Sequence, residues 1–428
     1  MNTDSLRNAL RVSNLRNKLL FTLLMFFVFR IGAHIPIPFI NHEALQNIVG
    51  GGSMMDFFDT FTGGSFRRFT VFAMSITPYI TASIIIQLLQ VVVPHLERLS
   101  KEGDYGRKKI VQYIRYSTVV LGFVQGLGMT FGLRGAIDIP AGVWSWLIYL
   151  LITLVLTAGT TFLMWLGESI TEKGIGNGIS LIIFAGIASR IPSALITLTE
   201  QWGVGEVGLA TILLLAVIVI AVVAGIVYIN EGQRRIQVQY AKRVVGRRVY
   251  GGQSSHIPLK VNQAGVIPII FAISLVGLPA QISSWTPGSS FALFASRWMS
   301  MNGRWESIPY LIVYALLIIG FTYFYTSITF KPMDVAENLK KYGGFVPGLR
   351  PGRPTSEYIT KVMYRVTFVG AMFLALISIL PTIVSGVTGL TNIYFGGTSL
   401  LIVVGVALDT MKQLESQLVM RHYQGFMK

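Results

Sequence analysis

The chain has 428 residues, of which 52% are hydrophobic and 13% charged, with a mean hydropathy of +0.61 and a net charge of +16. That balance would not stay soluble as a globular domain and is ordinary for a protein that lives in lipid. The lack of any cysteine excludes a disulfide framework and a thiolate metal site.

Ten apolar stretches, each about one bilayer thick, begin near Leu19, Thr70, Tyr116, Val143, Ile179, Val207, Val266, Tyr310, Val366 and Thr398. A helix crosses a bilayer with roughly 20 apolar residues, because every backbone donor and acceptor must be satisfied within the segment. The pattern predicts an all-α polytopic membrane protein with ten transmembrane helices. Residues 1–18 form a polar, basic arm that runs straight into the first span, with no short apolar region and cleavage site, so no removable signal peptide is expected. If the arm is inside and the chain crosses ten times, 28 of the 35 Lys and Arg fall on inner segments. Only Arg134, Arg190, Arg297 and Arg304 fall in outer loops, while Arg30, Arg67 and Arg68 lie in or beside spans. The positive-inside rule then places both termini in the cytoplasm.

After the first span, residues 50–64 are apolar but too short to cross. Ser53 followed by Asp56 reads as a helix N-cap and Gly63-Gly64 as its stop, which predicts a half-helix. Such an element is either buried in protein or lies on the outer leaflet. The second span carries Ile76-Thr77-Pro78-Tyr79-Ile80-Thr81-Ala82, and the seventh carries Val266-Ile267-Pro268-Ile269-Ile270-Phe271-Ala272. Matching Pro-interrupted segments in two halves point to paired elements beside a central pathway. Ile76, Ile80 and Ile84 recur on one helix face, which on spacing alone reads as lipid-facing or packing surface. Gly174-Ile175-Gly176-Asn177-Gly178 follows a membrane helix rather than a strand, so it reads as a hinge and not as a dinucleotide turn.

Two inner loops are long enough to project. Residues 230–263 contain Gln233-Arg234-Arg235-Ile236 and Gly246-Arg247-Arg248-Val249-Tyr250, and residues 331–365 contain Val346-Pro347-Gly348-Leu349-Arg350-Pro351-Gly352. Basic residues interleaved with Tyr228, Tyr240 and Tyr250 suit RNA phosphates and bases, or merely obey topology and meet anionic lipid. The residues leave both readings open.

No enzyme constellation is present. His34, His42, His95, His256 and His422 lie far apart, and no G-x-S-x-G elbow, Walker loop or close pair of intramembrane aspartates occurs. Neither an intramembrane hydrolase nor a cofactor is expected. A secondary transporter of small apolar or anionic solutes is the competing class, but ion coupling needs a charge-changing group at mid-membrane, and the span interiors are nearly bare. Arg30 sits toward the outer end of the first span, where it can snorkel, and Asp409 at the inner end of the last.

Several long motifs, in order, resemble one family. They include Phe29-Arg30-Ile31-Gly32 with Ile35-Pro36-Ile37-Pro38, the run from Pro78 to Leu89, and Phe162-Leu163-Met164-Trp165-Leu166-Gly167-Glu168. Tyr240-Ala241-Lys242-Arg243, Leu259-Lys260-Val261-Asn262, the Val346–Gly352 run and Tyr394-Phe395-Gly396-Gly397-Thr398-Ser399-Leu400-Leu401-Ile402 complete the set. On these the chain resembles the SecY family, the channel-forming subunits of the bacterial protein-export translocon.

The resemblance implies an hourglass pore between two five-helix halves, residues 19–200 and 201–413, with a tail at 414–428. It implies a constriction ring of Ile76, Ile80, Ile183, Ile270 and Ile402. It implies a plug at about 53–66, carrying Met54, Met55, Asp56, Phe57, Phe58, Phe61, Gly63 and Gly64. The second and seventh spans, with Ile84, Gln87, Pro268 and Phe271, would form a lateral gate for signal peptides and membrane segments. Arg243, Arg247, Arg248 and Arg350 would dock the ribosome, including its RNA, and the SecA motor. SecE, SecG, nascent chains and anionic lipid are the other implied partners, and the bacterial plasma membrane the implied location.

Overall fold

The computed structural model describes residues 12–41, 43–45, 59, 62–140, 142, 144–205, 207–240, 243–245, 248–250, 254–285, 289–291, 294, 308–388 and 397–425. The first half contains α1 (Ser13–Gly32), α2 (Thr77–Val92), α3 (Pro94–Lys101), α4 (Asp104–Gly132), α5 (Ser145–Lys173), α6 (Gly178–Ala188) and α7 (Ile191–Gly203). The second contains α8 (Leu209–Glu231), strands β1 (Gln233–Tyr240), β2 (Arg243–Val245), β3 (Arg248–Tyr250) and β4 (Ser254–Lys260), then α9 (Ile267–Trp285) and α10 (Ile308–Thr329). It ends with α11 (Pro332–Lys341), β5 (Gly344–Phe345), α12 (Arg353–Thr388) and α13 (Gly397–Gly425).

Each of the ten apolar stretches falls on a helix. By length and composition alone, five described spans qualify as membrane-crossing, or six if α2 and α3 are one span bent by 99°. Among the rest, α1 carries Arg16, Lys18 and Arg30, and α4 opens with Asp104, Arg107, Lys108 and Lys109.

The second span starts later than its hydropathy suggests. Residues 69–76 are turns, with Phe69 and Ser75 at φ 45° and 51°, and the helix begins at Thr77. Tertiary pairing overrides the helical tendency here. The Ile37 N–H donates to the Phe69 carbonyl at 3.1 Å, and the Val71 N–H donates to the Ile35 carbonyl at 3.1 Å. Phe69, Phe72, Ala73 and Met74 are meanwhile buried, so the segment is a core linker rather than a membrane helix. Pro78 and Pro268 are each the second residue of their helix, where the missing N–H leaves no bond unmade.

The Gly174–Gly178 stretch is the turn between α5 and α6. Gly176 sits at φ 85°, and the Asn177 side chain caps α6 by accepting from the N–H groups of Ile179 and Ser180 at 3.1 and 3.2 Å. A Cβ on Gly178 would run into the Gly167 carbonyl, so only glycine lets the two helices approach.

Helices α1, α2, α4, α5 and α6 pack among themselves, as do α8, α9, α10, α12 and α13. The two sets meet along two seams. In front, α9 packs against α2 and α4; behind, α13 packs against α6. Helix α8 exposes Leu209, Leu213, Leu214, Val217 and Ile220, as a helix bathed in lipid should.

The two long loops are not separate. Strand β1 pairs antiparallel with β4 from Gln233↔Lys260 to Gln239↔Ser254, and its far end pairs with β5 through Gln239↔Phe345 and Tyr240↔Gly344. The order β4-β1-β5 joins residues 230–263 to residues 331–365 in one sheet. Ile236, Val238, Leu259, Leu339, Val346 and Ile359 form a small core beneath it.

Candidate functional site

Four of the five helices that make the two seams, α2, α6, α9 and α13, contribute to one apolar cluster. Ile76, at the N-cap of α2, is 1% exposed, and Ile183 of α6 and Ile402 of α13 are 5% and 0% exposed. Ile80 of α2 and Ile270 of α9 are partly buried and pack against the same cluster. Ile76, Ile183 and Ile402 thus belong to one extended apolar cluster that both sets of helices share, and Ile80 and Ile270 pack against it. They leave a centre of branched aliphatic carbon, and among the described residues no group of His, Cys, Asp or Glu could hold a metal ion.

Along the front seam, Ile84 and Pro268 are buried. Gln87 is half-buried, and its Nε2 donates to Ser83 Oγ at 3.0 Å within α2. Phe271 stacks edge-to-face on Phe321 of α10, with ring centres 5.8 Å apart, so it is held within its own half.

Met54, Met55, Asp56, Phe57, Phe58 and Phe61 lie outside the described residues, as does the N-cap reading at Ser53. What is described of this segment is its base. Gly63 and Gly64 stand at φ 68° and 88°, a conformation that favours glycine. Gly63 also touches α6, since a Cβ there would come within 3.0 Å of the Gly186 Cα. Arg30 does not snorkel outward; its Nη1 donates to the Gly63 carbonyl at 3.4 Å. The adjacent Asp59 is fully buried and pairs with Arg190 at 2.6 Å.

At the loop end, Arg243 lies in β2 and Arg248 in β3, with Val245↔Arg248 the last pair of that hairpin; Arg247 lies outside the described residues. Arg350 is exposed on a turn between Gly348 and Gly352, both at positive φ. The turn is held by Leu349 N–H to Val346 carbonyl at 3.0 Å and by Thr355 Oγ1 donating to the Arg350 carbonyl at 2.8 Å. Val346 is in the core under the sheet and Leu349 packs on it, so the arginine stands on a fixed base.

Three features were missed by reading the sequence for spans. The sheet was signalled by the alternation Arg235-Ile236-Gln237-Val238-Gln239, whose buried positions are the apolar ones. The Arg115–Glu168 pair, a two-pronged contact at 2.8 and 2.9 Å between α4 and α5, had no local signal. Neither did Asp59–Arg190, whose partners are 131 residues apart.

The SecY family model matches residues 70–411. A SecY protein translocase subunit from Halalkalibacterium halodurans is 52% identical, with 99% of each chain covered, and one from Bacillus subtilis is 50% identical over the same shares. The chain belongs to the SecY family. Among solved structures, one described as a protein conducting channel matches with a TM-score of 0.68 at 20% identity, covering 94% of this chain and 93% of its own. The Sec61 of a canine ribosome-channel complex matches with a TM-score of 0.63 at 19% identity, over the same shares. These two carry the fold: a largely helical channel architecture, arranged here as two packed sets of helices.

Proposed function

We propose that this chain is the pore-forming subunit of a protein translocation channel in the bacterial plasma membrane. The observation that carries the reading is that Ile76, Ile80, Ile183, Ile270 and Ile402, contributed by α2, α6, α9 and α13, all belong to or pack against one apolar cluster shared by the two sets of helices. A ring of branched aliphatics dewets and excludes ions at rest, and closes around a moving chain without gripping any particular sequence. The α2–α9 seam is the lateral gate. When it parts, an apolar segment of about 20 residues leaves for lipid because its burial there is favourable. The segment around residues 53–66 is the plug.

The loop arginines Arg243, Arg247, Arg248 and Arg350, with Arg234 and Arg235 of β1 beside them, form the docking face for the ribosome and the SecA motor. Guanidinium forks suit phosphate and carboxylate partners, and a Pro/Gly-framed turn presents one without an ordering cost. SecE and SecG complete the complex, anionic lipid meets the remaining basic residues, and both termini are cytoplasmic. The chain carries no nucleotide motif, so the driving energy belongs to its partners. A solute transporter finds no support, since among the described residues the cluster holds no Asp, Glu, His, Lys or Arg.

The test is crosslinking of a stalled secretory chain to a photoreactive residue at Ile80 or Ile270 in the assembled complex. Adducts at both positions that require SecA or a ribosome are expected. Their absence from both, in a complex that is translocating, would overturn the pore assignment.

A further inference from the structure

Asp59 is a charged group with no exposure to solvent, in a segment rich in apolar residues and glycine. Its carboxylate is fully engaged. Oδ2 meets Arg190 Nη1 at 2.6 Å, and Oδ1 accepts from the Arg67 N–H at 2.9 Å and from Thr62 Oγ1 at 3.5 Å. Its carbonyl accepts from the Gly64 N–H at 3.1 Å and again from Thr62 Oγ1 at 3.0 Å. Asp59 and residues 62–67 are thereby drawn around a single carboxylate, and among the described residues only Arg190 ties that carboxylate to another helix.

Arg190 stands at the break between α6 and α7, as the N-cap residue of α7. Counting back along α6, Gly186 is one turn away and Ile183 two, so Ile183, Gly186 and Arg190 share a face. Gly186 is the residue that Gly63 touches. A single stripe of α6 therefore carries a ring isoleucine, the seat of the glycine turn and the cation that holds Asp59.

We propose that the Asp59–Arg190 pair is a latch that keeps the plug seated and that opens when the ring is dilated. This rests on reading the segment as a plug. While the segment is seated, each ion needs the other, because a buried charge stripped of its partner is strongly disfavoured. Once a chain forces Ile183 outward, the same helix face carries Arg190 away from Asp59. Water entering the funnel then rehydrates both ions, so release meets no lasting barrier. Insertion of the chain and release of the plug become one movement.

The absence of native cysteines permits a decisive test in the assembled complex reconstituted in vesicles. D59N, and separately R190Q, leave one partner of the pair uncompensated in the seated state. Each is expected to raise resting ion leak roughly tenfold or more, while substrate-driven translocation persists. The companion variant is G63C/S189C. The Cβ position at Gly63 lies 3.0 Å from Ser189 Oγ, so oxidation should tether the plug base to α6. In the D59N background, oxidation is expected to abolish the leak and block translocation, and reduction to restore both. Closure by oxidation would also show that D59N is folded. If D59N and R190Q leak no more than the parent while the disulfide blocks transport, the latch is wrong and the plug stands. If the formed disulfide leaves transport untouched, the plug reading falls and the latch with it.

Discussion

Isoleucine is suited to the centre of this molecule because it is bulky, branched at Cβ and free of polar atoms. Its stiffness at χ1 lets a ring of side chains hold a shape without hydrogen bonds. Glycine at Ile80 and Ile402 would remove two of the five isoleucines from the apolar cluster. The double variant is expected to conduct ions at rest, by an order of magnitude more than the parent in planar bilayers, and unchanged conductance would count against the ring. At this scale the sequence was uneven as a guide. Ile76, Ile80 and Ile84 recur at a helical spacing that fits lipid contact equally well, and only likeness to the family set Ile76 and Ile80 apart. The spatial reason is that Ile183, Ile270 and Ile402 lie on other helices, and no local pattern records which faces will meet. Arg30 shows the same limit: its spacing suggests snorkelling, yet its partner is a carbonyl 33 residues away.

Among elements, the loops carry the largest difference between expectation and structure. Residues 230–263 and 331–365 were legible as long and basic, and their alternation was overlooked because charge dominates a first reading of them. The sheet rests on few apolar side chains. Val238 is 1% exposed at its centre, so V238D would bury a carboxylate with no partner and cost roughly 3 kcal/mol or more, about the whole stability of so small a core. The expected outcome is proteolytic cleavage in both loops at once, at sites the parent protects; cleavage confined to residues 230–263 would mean that β5 holds independently. The turn from Phe69 to Ile76 teaches a related lesson. Its hydropathy reads as the start of a helix, and backbone pairing with Ile35 and Ile37 takes it out of one.

For the molecule as a whole, the charge distribution is the strongest statement the sequence makes, because insertion reads Lys and Arg in loops directly. Cysteines placed singly at Thr3 and Ser416 in this cysteine-free chain should both react with an impermeant maleimide from the cytoplasmic side and neither from the outside. Labelling of the two from different sides would require an odd number of crossings. The pairing of the second and seventh stretches was also legible, through Pro78 and Pro268, each of which opens its helix. The two seams were not, since packing between α9 and α2, or between α13 and α6, leaves no mark on either strand of sequence alone.

The shared sheet has a mechanical meaning. Both loops spring from the second half, and β4 leads into α9 through the short stretch from Val261 to Val266, where Asn262 is bonded to Asn230 of α8 at 2.8 Å. On the proposed reading of the sheet as a docking face and the α2–α9 seam as a gate, any machine that seizes the sheet holds one leaf of a two-leaved hinge and leaves the other to swing. Its grip would reach the edge of the door through α9, which packs against α2. The sheet would then be a handle as well as a landing site, and a partner that only leans on it would already bias the gate.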